Sequence, residues 1–164
     1  MKLSIKRKEL LTMLEFAKRF VNKTSTIPIL RNVCIIAGKE WLRLRTDDLN
    51  KNSSILIREV KVFEEWSITV NAERFYDLLK KDKSYILELI VKESDLCIIG
   101  EGIKNVLYGI PASEYIAETE KPECTIPCST SLLLDAIEKV SYVITEKSFS
   151  PSLTGMLIKQ IDNL

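Results

Sequence analysis

One unit occurs three times in this chain: a short alternating strand, a break, and then a helix with an apolar stripe. It reads Leu3-Ser4-Ile5 before Leu10, Leu11 and Leu14, then Ile68-Thr69-Val70 before Phe75, Tyr76 and Leu79, then Thr125-Ile126-Pro127 before Leu133, Ala136 and Ile137. A chain that reuses one small unit buries each copy against its neighbours, so internal symmetry constrains the fold before any single residue does. A shift of 65 residues lays Leu3 on Ile68, Ile5 on Val70, Leu10 on Phe75, Leu11 on Tyr76 and Leu14 on Leu79. A shift of 123 lays Leu11 on Leu134, Leu14 on Ile137, Ala17 on Val140, Val21 on Ile144 and Pro28-Ile29-Leu30 on Pro151-Ser152-Leu153. Two amphipathic helices alone superpose easily. Here the segments flanking each helix fall under the same or nearly the same shift, which is what a duplicated unit requires.

The 164 residues are 46% apolar and 29% charged, with a net charge of +1. Such a chain buries roughly 70% of its unfolded surface and holds a true core. No apolar run approaches the ~20 residues of a membrane span, so no membrane partner is expected. Met1 to Arg7 passes straight into a strand and a charged helix start, with no signal peptide. Cys34 and Cys97 sit inside apolar strands, and Cys124 and Cys128 lack the spacing of a redox or zinc site, which fits a reducing cytoplasm. Histidine is absent. That removes the commonest general base, the Ser-His and Cys-His pairs and most catalytic zinc sites. No phosphate-binding loop, nucleophile elbow or acidic metal cluster replaces them, so neither a cofactor nor a metal is expected and binding is favoured over catalysis.

The first helix is expected from about Lys8 to Val21, followed by strands over Leu30–Ile36, Trp41–Arg45 and Ser53–Val60. Asn71 is a good N-cap for a second helix ending near Lys81, whose Ala72, Phe75, Tyr76 and Leu79 form one apolar face. Strands over Tyr85–Val91, Leu96–Ile99 and Ile103–Ile110 follow, the last two joined by the turn Gly100-Glu101-Gly102. The fold class is α+β: two β-α-β-β-β halves with two helices on one side of antiparallel sheets. A first domain is expected over 1–115, a polar linker over 116–123, and the incomplete start of a second domain over 124–164, with one strand, Leu153–Ile161, after its helix.

In order and spacing, several segments resemble the bacterial DNA polymerase III beta subunit family, the sliding clamps. They are Met1 to Ile5, Ile27-Pro28-Ile29-Leu30 with Asn32, Leu42-x-Leu44 leading to Asp47-Asp48-Leu49, Ala72 with Phe75-Tyr76-Asp77, Ile110 to Tyr115, and Leu153 to Leu157. The resemblance implies a DNA-clamp fold and a non-enzymatic processivity factor, or an N-terminal segment of one, that encircles duplex DNA without reading it. Its implied partners are double-stranded DNA, a second subunit completing the ring, the replicative polymerase and the clamp loader. The alternative is a short clamp-like regulator that pairs with a full-length clamp and blocks ring closure.

From Lys6 to Lys23 six basic residues face two acidic ones, a local +4 in a chain of net +1. Lys8, Thr12, Glu15, Arg19 and Lys23 follow helical spacing opposite Leu10, Leu14 and Ala17, a stripe suited to phosphates. Lys8, Arg19, Lys23, Arg74 and Lys80 are the candidate DNA contacts. On resemblance, Arg74, Leu78, Lys104 and Val106 are candidates for a subunit interface, and Leu153 for a pocket that takes clamp-binding peptides. The acidic Glu73 stands where clamps often carry a basic residue.

Overall fold

The computed structural model describes residues 1–116, 127–145 and 149–159. The chain divides into two compact units, Met1–Glu118 and Thr119–Leu164.

In the first unit β1 (Lys2–Lys6) leads into α1 (Arg7–Ala17), then β2 (Asn32–Ala37), β3 (Leu42–Asp47), β4 (Asn52–Ile57) and β5 (Val60–Val62). The pattern restarts with β6 (Trp66–Asn71), α2 (Ala72–Lys81), β7 (Ile86–Lys92), β8 (Asp95–Ile99) and β9 (Lys104–Pro111). The helix of the second copy begins where the 65-residue shift puts it, Arg7 falling on Ala72, and its strand begins one residue before the shifted position, at Trp66. Asn71 caps α2 as its composition suggests, its side-chain oxygen accepting the Arg74 backbone N–H at 3.0 Å.

All pairings are antiparallel, in the order β4-β3-β2-β6-β9-β8-β7-β1-β5. The two copies exchange their opening strands. β1 pairs with β7 of the second copy, and β6 pairs with β2 of the first. The same residue position is used at both joins: Lys6, just before α1, lies opposite Ile86, and Asn71, just before α2, lies opposite Asn32. Periodicity identifies which face of a strand is buried and is silent on which neighbour it takes, so the exchange was not visible in the residues.

The core of the first unit contains the apolar stripes of α1 and α2, except that Leu11 is only partly buried. Leu10, Leu14 and Ala17 of α1 and Ala72, Phe75 and Leu79 of α2 are fully buried, together with Leu3, Leu42, Leu44, Leu87 and Leu89 from the strands. The helices pack on each other, α1 also on β1, β3 and β4, and α2 on β6 and β9. Cys34 and Cys97 are buried, and burial raises the Cys34 thiol to about 11. Gly102, in the β8–β9 turn, has φ +78°, a conformation glycine adopts without strain.

Three expected boundaries are corrected. The first helix does not run to Val21: α1 stops at Ala17 and tightens into a 3-10 turn over Lys18–Phe20. The Thr46 hydroxyl of β3 donates to the Ala17 carbonyl at 3.0 Å, while the Val21 N–H bonds Lys18 O instead. The run Ser53–Val60 is two strands. β4 loses its partner where β3 begins, at the Leu42 and Ile57 pair, and after the exposed Arg58-Glu59 the chain becomes β5 on the edge of β1. The run from Leu30 opens as a 3-10 turn, Pro28–Arg31, before β2.

In the second unit α3 (Thr130–Ser141) begins 123 residues after α1, and a 3-10 turn at Pro151–Thr154 matches the one at Pro28–Arg31 under the same shift. The strand expected from Leu153 is absent over residues 153–159, where the 3-10 turn gives way to irregular chain. Thr125-Ile126, most of the expected linker, Cys124 and residues 160–164 lie outside the described residues.

Candidate nucleic-acid interface

α1 turns Leu10 and Leu14 into the core and leaves Lys8, Thr12 and Glu15 exposed on the opposite side. Because α1 ends at Ala17, Arg19 sits on the 3-10 turn and Lys23 on the loop beyond it, so the five-residue stripe is not one continuous helical face. All five candidate DNA contacts, Lys8, Arg19, Lys23, Arg74 and Lys80, are exposed, and they lie on or beside two helices that pack together.

Four of the six basic residues are already engaged, and because three of them meet Glu59 or Glu73 the charge left available is smaller than the sequence count. Lys6 pairs with Glu59 at 2.9 Å. Arg7 donates from Nη1 to the Leu79 carbonyl in the last turn of α2 at 3.2 Å and from Nε to the Ser84 carbonyl in the loop beyond it at 3.1 Å. Lys18 Nζ stands 3.6 Å from the centroid of the Tyr76 ring, a cation–π contact between α1's end and α2. Both Lys18 and Lys23 reach the same carboxylate: Glu73 lies 3.5 Å from Lys18 and 2.6 Å from Lys23. These ammonium groups, Lys23 first, hold the Glu73 carboxyl below its ordinary value of 4.5. Lys8 and Arg19 make no ion pair among the described residues, and Arg19 lies 6.0 Å from the Phe16 ring.

On α2, Arg74 and Lys80 are exposed and Lys80 Nζ is 5.9 Å from the Tyr76 ring centroid. Asp82 is buried and its Oδ1 accepts the Ser84 N–H at 2.7 Å, closing the turn after α2. Periodicity does not single out the cluster of Lys18, Glu73 and Tyr76. Its one local trace is Glu73, Tyr76 and Lys80 at i, i+3 and i+7, a single face of α2.

Of the interface candidates, Arg74, Lys104 and Val106 are exposed, while Leu78 is half-buried against the core. Along one side β9 pairs with β8 from Lys104 to Tyr108; on its other side β6 joins only at Gly109, Ile110 and Pro111. The stretch Lys104 to Tyr108 therefore presents an open strand edge, carrying Val106 at 45% and Tyr108 at 82% exposure. Gly109 makes the change of partner possible, since a Cβ there would lie 2.6 Å from Ile68 Cδ1 and 2.8 Å from Ser94 O. Leu153 is exposed in the Pro151–Thr154 turn.

A hollow of about 530 Å³ is lined by Glu40, Trp41, Leu56, Arg58 and Val60, none of them on α1 or α2. Among the described residues no group of three or more Cys, Asp or Glu is placed to hold a metal, and no helix is long and apolar enough to cross a membrane.

Residues 1–117 match the family described as the DNA polymerase III beta subunit, N-terminal domain. The chain is 26% identical over 161 residues to the beta sliding clamp of Pseudomonas putida and 26% identical over 166 residues to that of Bacillus subtilis. These matches take in 97% and 95% of this chain and 44% of each relative, so the chain spans under half the length of the curated proteins it resembles. Among solved structures, the beta subunit of Streptococcus pyogenes DNA polymerase superposes with a TM-score of 0.88 at 18% identity, over 94% of this chain and 43% of that one. A sliding clamp of Pseudomonas aeruginosa bound to griselimycin gives 0.86 at 23% identity, over 93% and 42%.

Proposed function

Since the chain belongs to the family of the DNA polymerase III beta subunit, N-terminal domain, we propose that it is a segment of a sliding clamp that holds duplex DNA without reading its sequence and tethers a replicative polymerase. The observation that carries this reading is the pairing of α1 and α2 by the duplicated unit, with Lys8, Arg19, Arg74 and Lys80 exposed on and beside them. Exposed, flexible cations carried on and beside two packed helices suit phosphates, the sequence-independent contact that sliding needs. Lys23 belongs to the same face and shares its charge with Glu73. The chain carries out no chemistry of its own in this reading, works in the cytoplasm beside DNA, and meets the polymerase and clamp loader through parts that include the turn at Leu153.

The open edge of β9 supports a second element of the proposal, a subunit interface formed by strand addition along Lys104 to Tyr108, to which Arg74 and Leu78 of α2, the helix in contact with β9, would contribute. Residues 1–115 then form the first clamp domain, 116–123 the linker and 124–164 the opening of the second.

The DNA contact is tested by binding this chain to a fluorescent duplex over a range of salt concentrations. Lys8→Glu and Arg19→Glu should each flatten the log–log salt dependence by about 0.9 for every phosphate no longer neutralised, with unchanged circular dichroism, because both side chains lie off the core. A folded double variant that keeps the parent's slope overturns the assignment.

A further inference from the structure

The cation-bearing face contains one acid in direct contact with two of its lysines. Glu73 opens α2, and its carboxylate touches Lys23 Nζ at 2.6 Å from the loop after α1 and Lys18 Nζ at 3.5 Å from the end of α1. Lys18 is further restrained over the Tyr76 ring, at 3.6 Å, and is only 20% exposed. Lys23 is 59% exposed, so a competing anion can reach its ammonium group, while Glu73 is 36% exposed and its Oε1, the oxygen touching Lys23, is shielded from solvent. A carboxylate bridging two ammonium groups has the charge and oxygen geometry of a phosphate oxygen pair.

We propose that Glu73 loosens the grip of this face on duplex DNA by keeping Lys23, and in part Lys18, occupied as a phosphate would. The inference rests on the reading of the α1–α2 face as a duplex-contacting surface. A phosphate that would use Lys23 must first displace the carboxylate and then sit beside it, so fewer counterions are released per duplex bound. The face holds DNA through Lys8, Arg19, Arg74 and Lys80, and keeps Lys23 in reserve. For a protein that must slide, a weaker and more even set of phosphate contacts lowers the barrier between successive positions. A purely structural role for Glu73, tying the loop after α1 to α2, would change stability and leave the salt dependence of DNA binding alone.

The test is a charge-removal cycle on the whole chain: parent, Glu73→Gln, Lys23→Gln and the double variant, with Arg19→Gln as reference, each titrated with duplex across salt concentrations. Glu73→Gln should steepen the salt slope by about 0.9 and tighten binding by on the order of eightfold at 0.1 M salt, as expected when one more phosphate is neutralised. In the Lys23→Gln background most of that increase should vanish. Lys23→Gln alone should flatten the slope by less than half as much as Arg19→Gln does, a comparison that decides the matter even if Glu73→Gln fails to fold. A folded Glu73→Gln with the parent's slope, alongside an Arg19→Gln with a flatter one, overturns the role of Glu73 and leaves the DNA face standing. Absence of duplex binding by parent and Glu73→Gln alike at low salt overturns both.

Discussion

Single residues in this chain act through what surrounds them more than through their type. Glu73 has the same side chain as the exposed Glu15, yet its two lysine contacts depress its carboxyl and remove positive charge from the face it sits on. Cys34 shows the opposite effect: burial favours the neutral thiol and moves it to about 11, from 9.0. A thiol with little thiolate at neutral pH and no access is a poor nucleophile. Brief treatment of the native protein with iodoacetamide at pH 8 should therefore modify the exposed Cys128 and spare Cys34 and Cys97 until the chain is unfolded, as read by mass spectrometry of peptides. Linkage adds a sign: the unfolded thiol ionises near 9.0 and the folded one near 11, so the contribution of Cys34 to stability is full below 9.0 and declines from there to about 11. Native labelling of Cys34 at the rate of Cys128 would contradict the burial.

At the scale of elements, α1 is a local helix former whose end is set by a strand. Leu10, Leu14 and Ala17 continue as Val21 in the apolar pattern, so the helix has a reason in its own sequence to run on. The Thr46 hydroxyl ends it by taking the Ala17 carbonyl, inside a buried site where an unpaired carbonyl is costly. Arg19 and Lys23 owe their positions to that termination. Replacing Thr46 by Val keeps the shape and removes the donor, and should destabilise the chain by about 1–3 kcal/mol in urea unfolding. It should also alter the amide chemical shifts of residues 17–23 beyond those of their neighbours. A loss below about 0.3 kcal/mol, with unaltered shifts in that segment, would show that the helix ends for another reason.

The whole molecule contains two different states of one repeat. In the first unit the two copies exchange β1 and β6, and each helix finds a covered face: Leu10, Leu14, Phe75 and Leu79 are fully buried. The third copy has its helix and following 3-10 turn, but Leu133, Ile137 and Val140 on α3 remain 36–46% exposed and Leu157 88% exposed. Burying such side chains contributes roughly 1.5–3 kcal/mol each, so α3 lacks what makes α1 stable. Hydrogen exchange on the monomeric chain should show residues 133–141 exchanging much faster than Leu10 to Ala17. Equal protection of the two helices in a demonstrated monomer would mean that α3 is stable without a partner face.

The residues alone were enough to locate the repeat, the starts of the first two helices, the Asn71 cap, the Gly100 to Gly102 turn and the apolar faces of α1 and α2. Each of these is a local matter: a 3.6-residue or two-residue period, a capping side chain or a glycine acts within a few positions of itself. Tertiary structure decided which strands exchange, where Ser53–Val60 breaks, where α1 ends, and which lysines keep a free charge. Those outcomes join Lys6 to Ile86, Ala17 to Thr46 and Lys23 to Glu73. No periodicity reports them, because the energy of a strand edge, a buried carbonyl or an ion pair depends on what the fold brings within a few ångströms, at separations along the chain that carry no signal of their own.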